Sequence, residues 1–228
     1  MSKPILFGPD GKRVPFGRFC LERSISFMMS TDIPASGIEA VADTTGTAVI
    51  PGQSSGDTDP NRLVMTTAAS LNDTVRVMMP QFVTHRYAAV ELEVQRIALG
   101  TTAAHARFGF TNGTTQTLGL FAYRNYSTSV GTRQPWYISE RRTVGAGGPV
   151  NTETKAQTYS TARYTLNLVW FISEQWAYLM DGDAVFHSQA APNPASGTVR
   201  PFVQVVAASG SAAVLSISKL TARYWTNR

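Results

Sequence analysis

Charge is scarce in this sequence, cysteine is almost missing, and long apolar runs do not occur. Only 15% of the 228 residues are Asp, Glu, Lys or Arg, while 43% are hydrophobic and 10% aromatic. Such a chain has enough apolar surface to build a core, which excludes intrinsic disorder. The one cysteine, Cys20, has no partner within the chain, which excludes a disulfide scaffold. The longest apolar runs, such as 166–172, fall far short of the roughly 20 residues a membrane-spanning helix requires. The opening residues Pro4-Ile5-Leu6-Phe7-Gly8-Pro9 break after three apolar residues, unlike a secretory signal. The expectation is synthesis and folding in a cytoplasm, which does not fix where the protein works.

Acidic residues are also fewer than basic ones. Lys+Arg is 20 against Asp+Glu 15, for a net charge of +5. Sixteen of the 20 basic residues are arginine, and the arginines touch in sequence only at Arg141-Arg142. A nucleic-acid footprint concentrates its basic residues in a stripe, so dispersed arginines argue against one. They fit contacts between protein subunits, where arginine is favoured over lysine.

Helical patterning is lacking too. No window keeps an apolar stripe at i, i+3, i+4, i+7 over three turns. Thr, Val, Ala, Ser and Gly dominate, and turn residues punctuate the chain about every ten residues, the pattern of many short strands. Residues 1–17 hold Pro4, Pro9, Pro15 and the turn Pro9-Asp10-Gly11, and read as an extended N-terminal arm. Residues 18–228 read as a single β-sandwich domain. Within it, 30–62 is irregular apart from one or two short strands around 48–50. Strands are then predicted over 74–78, 90–95, 104–110, 117–123, 136–140, 163–172, 176–180, 184–187, 201–207 and 213–224. Val90, Leu92 and Val94 share one face of their strand, with Glu91, Glu93 and Gln95 on the solvated other. Asn112-Gly113 and Asp181-Gly182 are hairpin turns.

The order of segments from Tyr164 onward carries a resemblance. A strand ending near Trp170 precedes Trp176–Val185, which closes on Asp181-Gly182-Asp183. A proline loop, Pro201-Phe202-Val203-Gln204-Val205, and a final Leu215-Ser216-Ile217-Ser218-Lys219-Leu220 follow. This order is similar to the C-terminal half of concanavalin A-like lectin/glucanase domains, and 89–94 and 106–111 fit their front half. The resemblance covers about 65–226. It implies an all-β fold, a two-sheet antiparallel jelly-roll sandwich, and by itself assigns no activity.

Candidate chemistry is sparse. Glu91-x-Glu93-x-Gln95 resembles the alternate acidic residues of glucanases. The position of a second catalytic acid is Gln95 followed by Arg96, so the two carboxyl groups of glycoside hydrolysis are not both in place. His85, His105 and His187 lack metal-ligand spacing. Asp181 and Asp183 offer too few oxygens for calcium, and no cofactor motif is present. Cys20 reads as a structural thiol. Tyr123, Tyr126, Trp136 and Tyr137 are the aromatics placed to meet a ligand or an interface.

The function expected from these features is not enzymatic. It is a structural part of a bacteriophage virion (a capsid decoration, head-fibre or tail component), made in the host cytoplasm. Its partners would be other virion proteins and copies of itself, with a trimer favoured. Ile5, Leu6 and Phe7 of the arm would contact a neighbouring subunit. The alternative is a lectin-like module binding carbohydrate, including a host glycan, and less favoured is a glycoside hydrolase. Neither nucleic acid nor a membrane is an expected partner.

Overall fold

The structure is a computed structural model that describes residues 19–26, 40–42, 46–49, 62–99, 104–111, 119–124, 137–141, 150–151, 164–172, 175–181, 184–190 and 197–225. Among these residues strand follows strand. The early strands are β1 (Phe19–Ser26), β2 (Ala40–Ala42), β3 (Thr47–Val49), β4 (Leu63–Thr66), β5 (Thr74–Met78) and β6 (Phe82–Val83). The middle of the chain gives β7 (Ala89–Leu99), β8 (Ala104–Thr111), β9 (Gly119–Arg124), β10 (Tyr137–Arg141) and β11 (Val150–Asn151). The last are β12 (Tyr164–Phe171), β13 (Trp176–Asp181), β14 (Ala184–Ala190), β15 (Thr198–Ala207), β16 (Val214–Ile217) and β17 (Lys219–Trp225). Among the described residues the one helical element is a 3-10 turn, Thr84–Arg86.

The strands form two antiparallel sheets. The nine-stranded sheet runs β14-β13-β12-β7-β16-β4-β3, with β17 pairing both β7 and β1. The eight-stranded sheet runs β11-β10-β9-β8-β15-β5-β2, with β6 on β15. Strands adjacent in sequence repeatedly fall in different sheets, as β7 and β8 do, so the chain wraps around the core as in a jelly roll.

Alternation dictates the core. Val90, Leu92 and Val94 of β7, Leu166, Leu168 and Trp170 of β12, and Leu220, Ala222 and Tyr224 of β17 point inward from the first sheet. They meet Val75 and Val77 of β5, Ala104, Ala106, Phe108 and Phe110 of β8, and Val203 and Val205 of β15. An aromatic chain crosses the gap: Phe82 packs edge-on against Tyr224 at 4.9 Å and against Phe110 at 6.0 Å, and Phe110 lies 5.7 Å from Trp170.

The strand predicted over 213–224 is two strands. β7 pairs with β17 along 89–95, then changes partner and pairs with β16 at Ala98 and Leu99. Ser218 marks the change: its backbone N–H donates to the Gln95 carbonyl at 3.0 Å, and its hydroxyl donates to the same oxygen at 3.2 Å. Five further strands, β1, β2, β4, β6 and β11, escaped the sequence pattern. β1 pairs in register with β17 from Leu21↔Tyr224 to Ser26↔Lys219, and Cys20 is the extra residue where the register shifts. β2 adds an edge to β5.

Candidate functional site

Both sheets carry chemistry on their outward faces, and the pairing registers show how. On the nine-stranded sheet one ladder row reads Phe19, Trp225, Ala89, Phe171, Trp176, Ala190 across β1, β17, β7, β12, β13 and β14. The row two residues along reads Glu22, Arg223, Glu91, Val169, Tyr178, Ser188, and the next contains Ser24, Thr221, Glu93, Asn167, Met180. The outward face is therefore apolar at one end and ionic beside it.

The ionic part centres on Arg223. Its Nη1 donates to Glu91 Oε1 at 2.9 Å and to Glu93 Oε2 at 2.7 Å, and its Nε donates to Glu22 Oε2 at 2.8 Å. Asn167 donates through Nδ2 to Glu91 Oε1, and Gln95 donates through Nε2 to Glu93 Oε1. One guanidinium thus ties β1, β17 and β7 together, with β12 joined through Asn167. The sequence reading put Glu91 and Glu93 on a solvated face; the structure corrects this, because both are only 8% exposed.

Burial and bonding move the two carboxyl groups in opposite directions. Desolvation raises the pKa of Glu91 above the usual glutamate value, against the pull of Arg223 and Asn167. At Glu93 desolvation also raises the pKa, but the bonds from Gln95 and Arg223 outweigh it and the net shift is downward. Arg223 is desolvated too, yet Glu91, Glu93 and Glu22 hold its proton more tightly than usual. A carboxyl pair split in this way suits acid–base work in principle. Here both groups are bonded to the same guanidinium nitrogen, Nη1 of Arg223.

The eight-stranded sheet carries a different row. Arg76 of β5, Gln204 of β15, Arg107 of β8, Tyr123 of β9 and Tyr137 of β10 stand side by side in register. Arg76 and Gln204 are buried and Arg107 is half-buried. The Arg76 guanidinium lies 5.7 Å from the centre of the Phe202 ring.

The predicted site residues divide accordingly. The pairing brings Tyr123 and Tyr137 directly opposite one another. Tyr126, Trp136 and the arm residues Ile5, Leu6 and Phe7 lie outside the described residues. The three histidines are apart: His85 is exposed on the 3-10 turn, His105 is half-buried on β8, and His187 is on β14. Asp181, read from the sequence as a turn residue with Gly182, is instead the last residue of β13 and pairs with Ala184 of β14. Among the described residues no three His, Cys, Asp or Glu side chains form a group able to hold a metal. Sequence reading missed Arg223, since nothing local marks an arginine whose acidic partners lie 130 and 132 residues away.

No family model and no curated protein sequence matches the chain. Solved structures do match in fold. The Emp46p carbohydrate recognition domain in its potassium-bound form superposes with a TM-score of 0.59 at 12% identity, covering 87% of this chain and 95% of that one. A legume lectin-like domain from Entamoeba histolytica gives 0.59 at 10% identity, with 87% and 95% covered. The endo-beta-1,3-glucanase from Pyrococcus furiosus gives 0.53 at 8% identity over 100% of both chains. The fold is the concanavalin A-like two-sheet sandwich shared by lectins and glucanases.

Proposed function

We propose that the chain is a non-catalytic carbohydrate-binding sandwich whose glycan contacts lie where β8, β9 and β10 meet. The row Arg107, Tyr123, Tyr137 carries this reading. Tyrosines supply faces for sugar rings, and a guanidinium supplies a fork of donors for hydroxyl and carboxyl oxygens. The similarity to a carbohydrate recognition domain and to a legume lectin-like domain supports the ligand class. The similarity to a glucanase supports the fold equally, but the one acidic pair on β7 is engaged by Arg223.

The test is glycan-array and calorimetric binding with the full chain and with Tyr123→Ala, Tyr137→Ala and Arg107→Ala. Losses of about tenfold or more are expected, the size of one lost stacking or charged contact of ~1.4 kcal/mol. Glu93→Gln should leave binding intact. Release of reducing ends from a β-glucan, abolished in Glu93→Gln, would overturn the non-catalytic reading.

The setting we propose for such a domain is the bacteriophage particle, as a decoration, head-fibre or tail component that meets a host surface. Its support is the dispersed arginines and the turn-rich N-terminal segment; none of the similar structures above is described as a virion protein. A trimer in solution that copurifies with particles is the expected result, and a monomer absent from particles would leave a free lectin.

A further inference from the structure

The two outward faces of the sandwich differ in the sign of their charge. On the nine-stranded sheet, the outward positions of β1, β7 and β17 hold Glu22, Glu91 and Glu93 against Arg223 and Lys219. On the eight-stranded sheet, the outward positions alternate with inward residues such as Ala106, Phe108, Val203 and Val205. They include Arg76, Arg107, Arg141 and Arg200 and, among the described residues, no Asp or Glu.

Exposure sorts these arginines into roles. Arg76 is 4% exposed, with its guanidinium 5.7 Å from the centre of the Phe202 ring, and its neighbour Gln204 is 3% exposed. Both belong to the sheet's own packing. Arg107 and Arg200 are each half-buried, so both reach solvent. Arg200 also donates through Nη2 to the neutral Gln81 Oε1 at 3.4 Å. Arg107 is in register with Gln204 and Arg200 with Thr111, so the two arginines are offset by about 13 Å along the strands. On β8 the outward position between them is Gly109, which raises no side chain into the gap.

Resting on the carbohydrate-binding reading above, we infer that the glycan is acidic. It is a polysaccharide with carboxylate or sulfate groups repeated along its chain, and it lies along β8 and β15 from Arg107 toward Arg200. One guanidinium suffices for a single anion, whereas two offset along the strands suit a chain. Each guanidinium stays charged at any working pH, and its planar fork takes two oxygens of an acidic group at once. A face with cations and no carboxylate in its outward register draws a polyanion and gives a neutral glycan no such advantage.

Isothermal titration of the intact chain tests this. The probes are polygalacturonate for carboxylate, heparin for sulfate, dextran as a neutral polysaccharide, and double-stranded DNA as a polyanion that is not a polysaccharide. Polygalacturonate or heparin should bind about tenfold or more tightly than dextran, and the affinity should fall by about tenfold in Arg107→Gln and in Arg200→Gln. Glutamine keeps a hydrogen-bonding head and removes the charge, so the loss reports the charge. Added salt should weaken the binding, because exposed charges are screened. Binding of polygalacturonate alone assigns carboxylate, and binding of heparin alone assigns sulfate. Dextran bound as tightly as either would overturn the acidic ligand and leave the carbohydrate reading standing. If no polysaccharide binds, both fall. DNA bound as tightly as the acidic polysaccharides would overturn a glycan as the ligand. Unchanged affinity for both acidic probes in the two variants, each melting at the parent temperature, would overturn the site.

Discussion

Arg223 and Glu93 stand 2.7 Å apart across the β17–β7 ladder, although 130 residues separate them in sequence. The same guanidinium nitrogen holds Glu91 at 2.9 Å, so one cation compensates two carboxylates that are each nearly buried. Removing the cation leaves both uncompensated. A fully buried pair loses ~3–5 kcal/mol when one partner is deleted. The Arg223 side chain keeps 23% of its exposure, so Arg223→Met should cost less, about 2–3 kcal/mol. The urea midpoint at neutral pH measures it. A loss below ~0.5 kcal/mol would mean that the cluster contributes no more than an exposed ion pair.

The same cluster sets a pH dependence with two opposed limbs. Glu91 binds its proton more tightly folded than unfolded, so its contribution improves as pH falls from neutral through its raised pKa toward 4.5. Glu93 binds its proton less tightly folded, so its contribution is present above 4.5 and is lost as pH falls through its depressed pKa. The pair therefore places its best stability near 4.5, not at neutral pH. Glu91→Gln should flatten the limb above 4.5, and Glu93→Gln should remove the limb below it. Melting temperature measured from pH 3 to pH 8, as a chosen range, checks both. At neutral pH Glu93→Gln should be the more damaging of the two, because folding favours the charged form of Glu93 and disfavours that of Glu91.

Alternation made most of the sandwich legible. The inward set of β7, β8 and β12 follows directly from residues such as Val90, Leu92 and Val94, whose period of two has one solution. The strand over Thr74–Met78 matches the sequence reading to the residue, because Pro80 stops it. The pattern failed where both faces are buried. Glu91 and Glu93 look solvated in sequence, since a local window shows their charge but not the arginine that neutralises it. β1 was illegible for a related reason: Phe19–Ser26 mixes polar and apolar residues and gains its identity from β17, some 200 residues later. The break at Ser218 depends on β7 changing partners, a tertiary event that no propensity records.

Trp170 offers a test of core polarity. It is 2% exposed on the inward face of β12, packed at 5.7 Å against Phe110, and its indole Nε1 has no hydrogen-bond partner among the described residues. A buried donor left unsatisfied costs ~1–3 kcal/mol. Trp170→Phe removes that cost along with part of the packing, so the two effects offset and a net change under ~1 kcal/mol is expected. Trp170→Ala leaves a cavity and should cost ~3–5 kcal/mol. Denaturation midpoints of the pair decide it. A Trp170→Phe loss as large as that of Trp170→Ala would show that the indole nitrogen is satisfied in solution.

Gly46 stands where the chain passes from one sheet to the other, after β2 of the eight-stranded sheet and directly before β3 of the nine-stranded sheet. A β-carbon at this position would lie 2.2 Å from Val75 Cγ2 and 2.6 Å from the Thr66 carbonyl oxygen. The first obstacle is a core side chain from the opposite sheet, and the second is backbone held in the β3–β4 ladder. Overpacking of this kind costs ~1–3 kcal/mol, so Gly46→Ala should lower the urea midpoint accordingly. Val75→Ala alone should also destabilise, because Val75 is fully buried. Together the two substitutions should cost less than their sum, since the shortened side chain removes the nearer clash. The remainder should persist, because the Thr66 carbonyl cannot retreat without breaking its ladder. Strict additivity in that double-mutant cycle would show that Gly46 does not approach Val75, and that the crossing between the sheets follows another path.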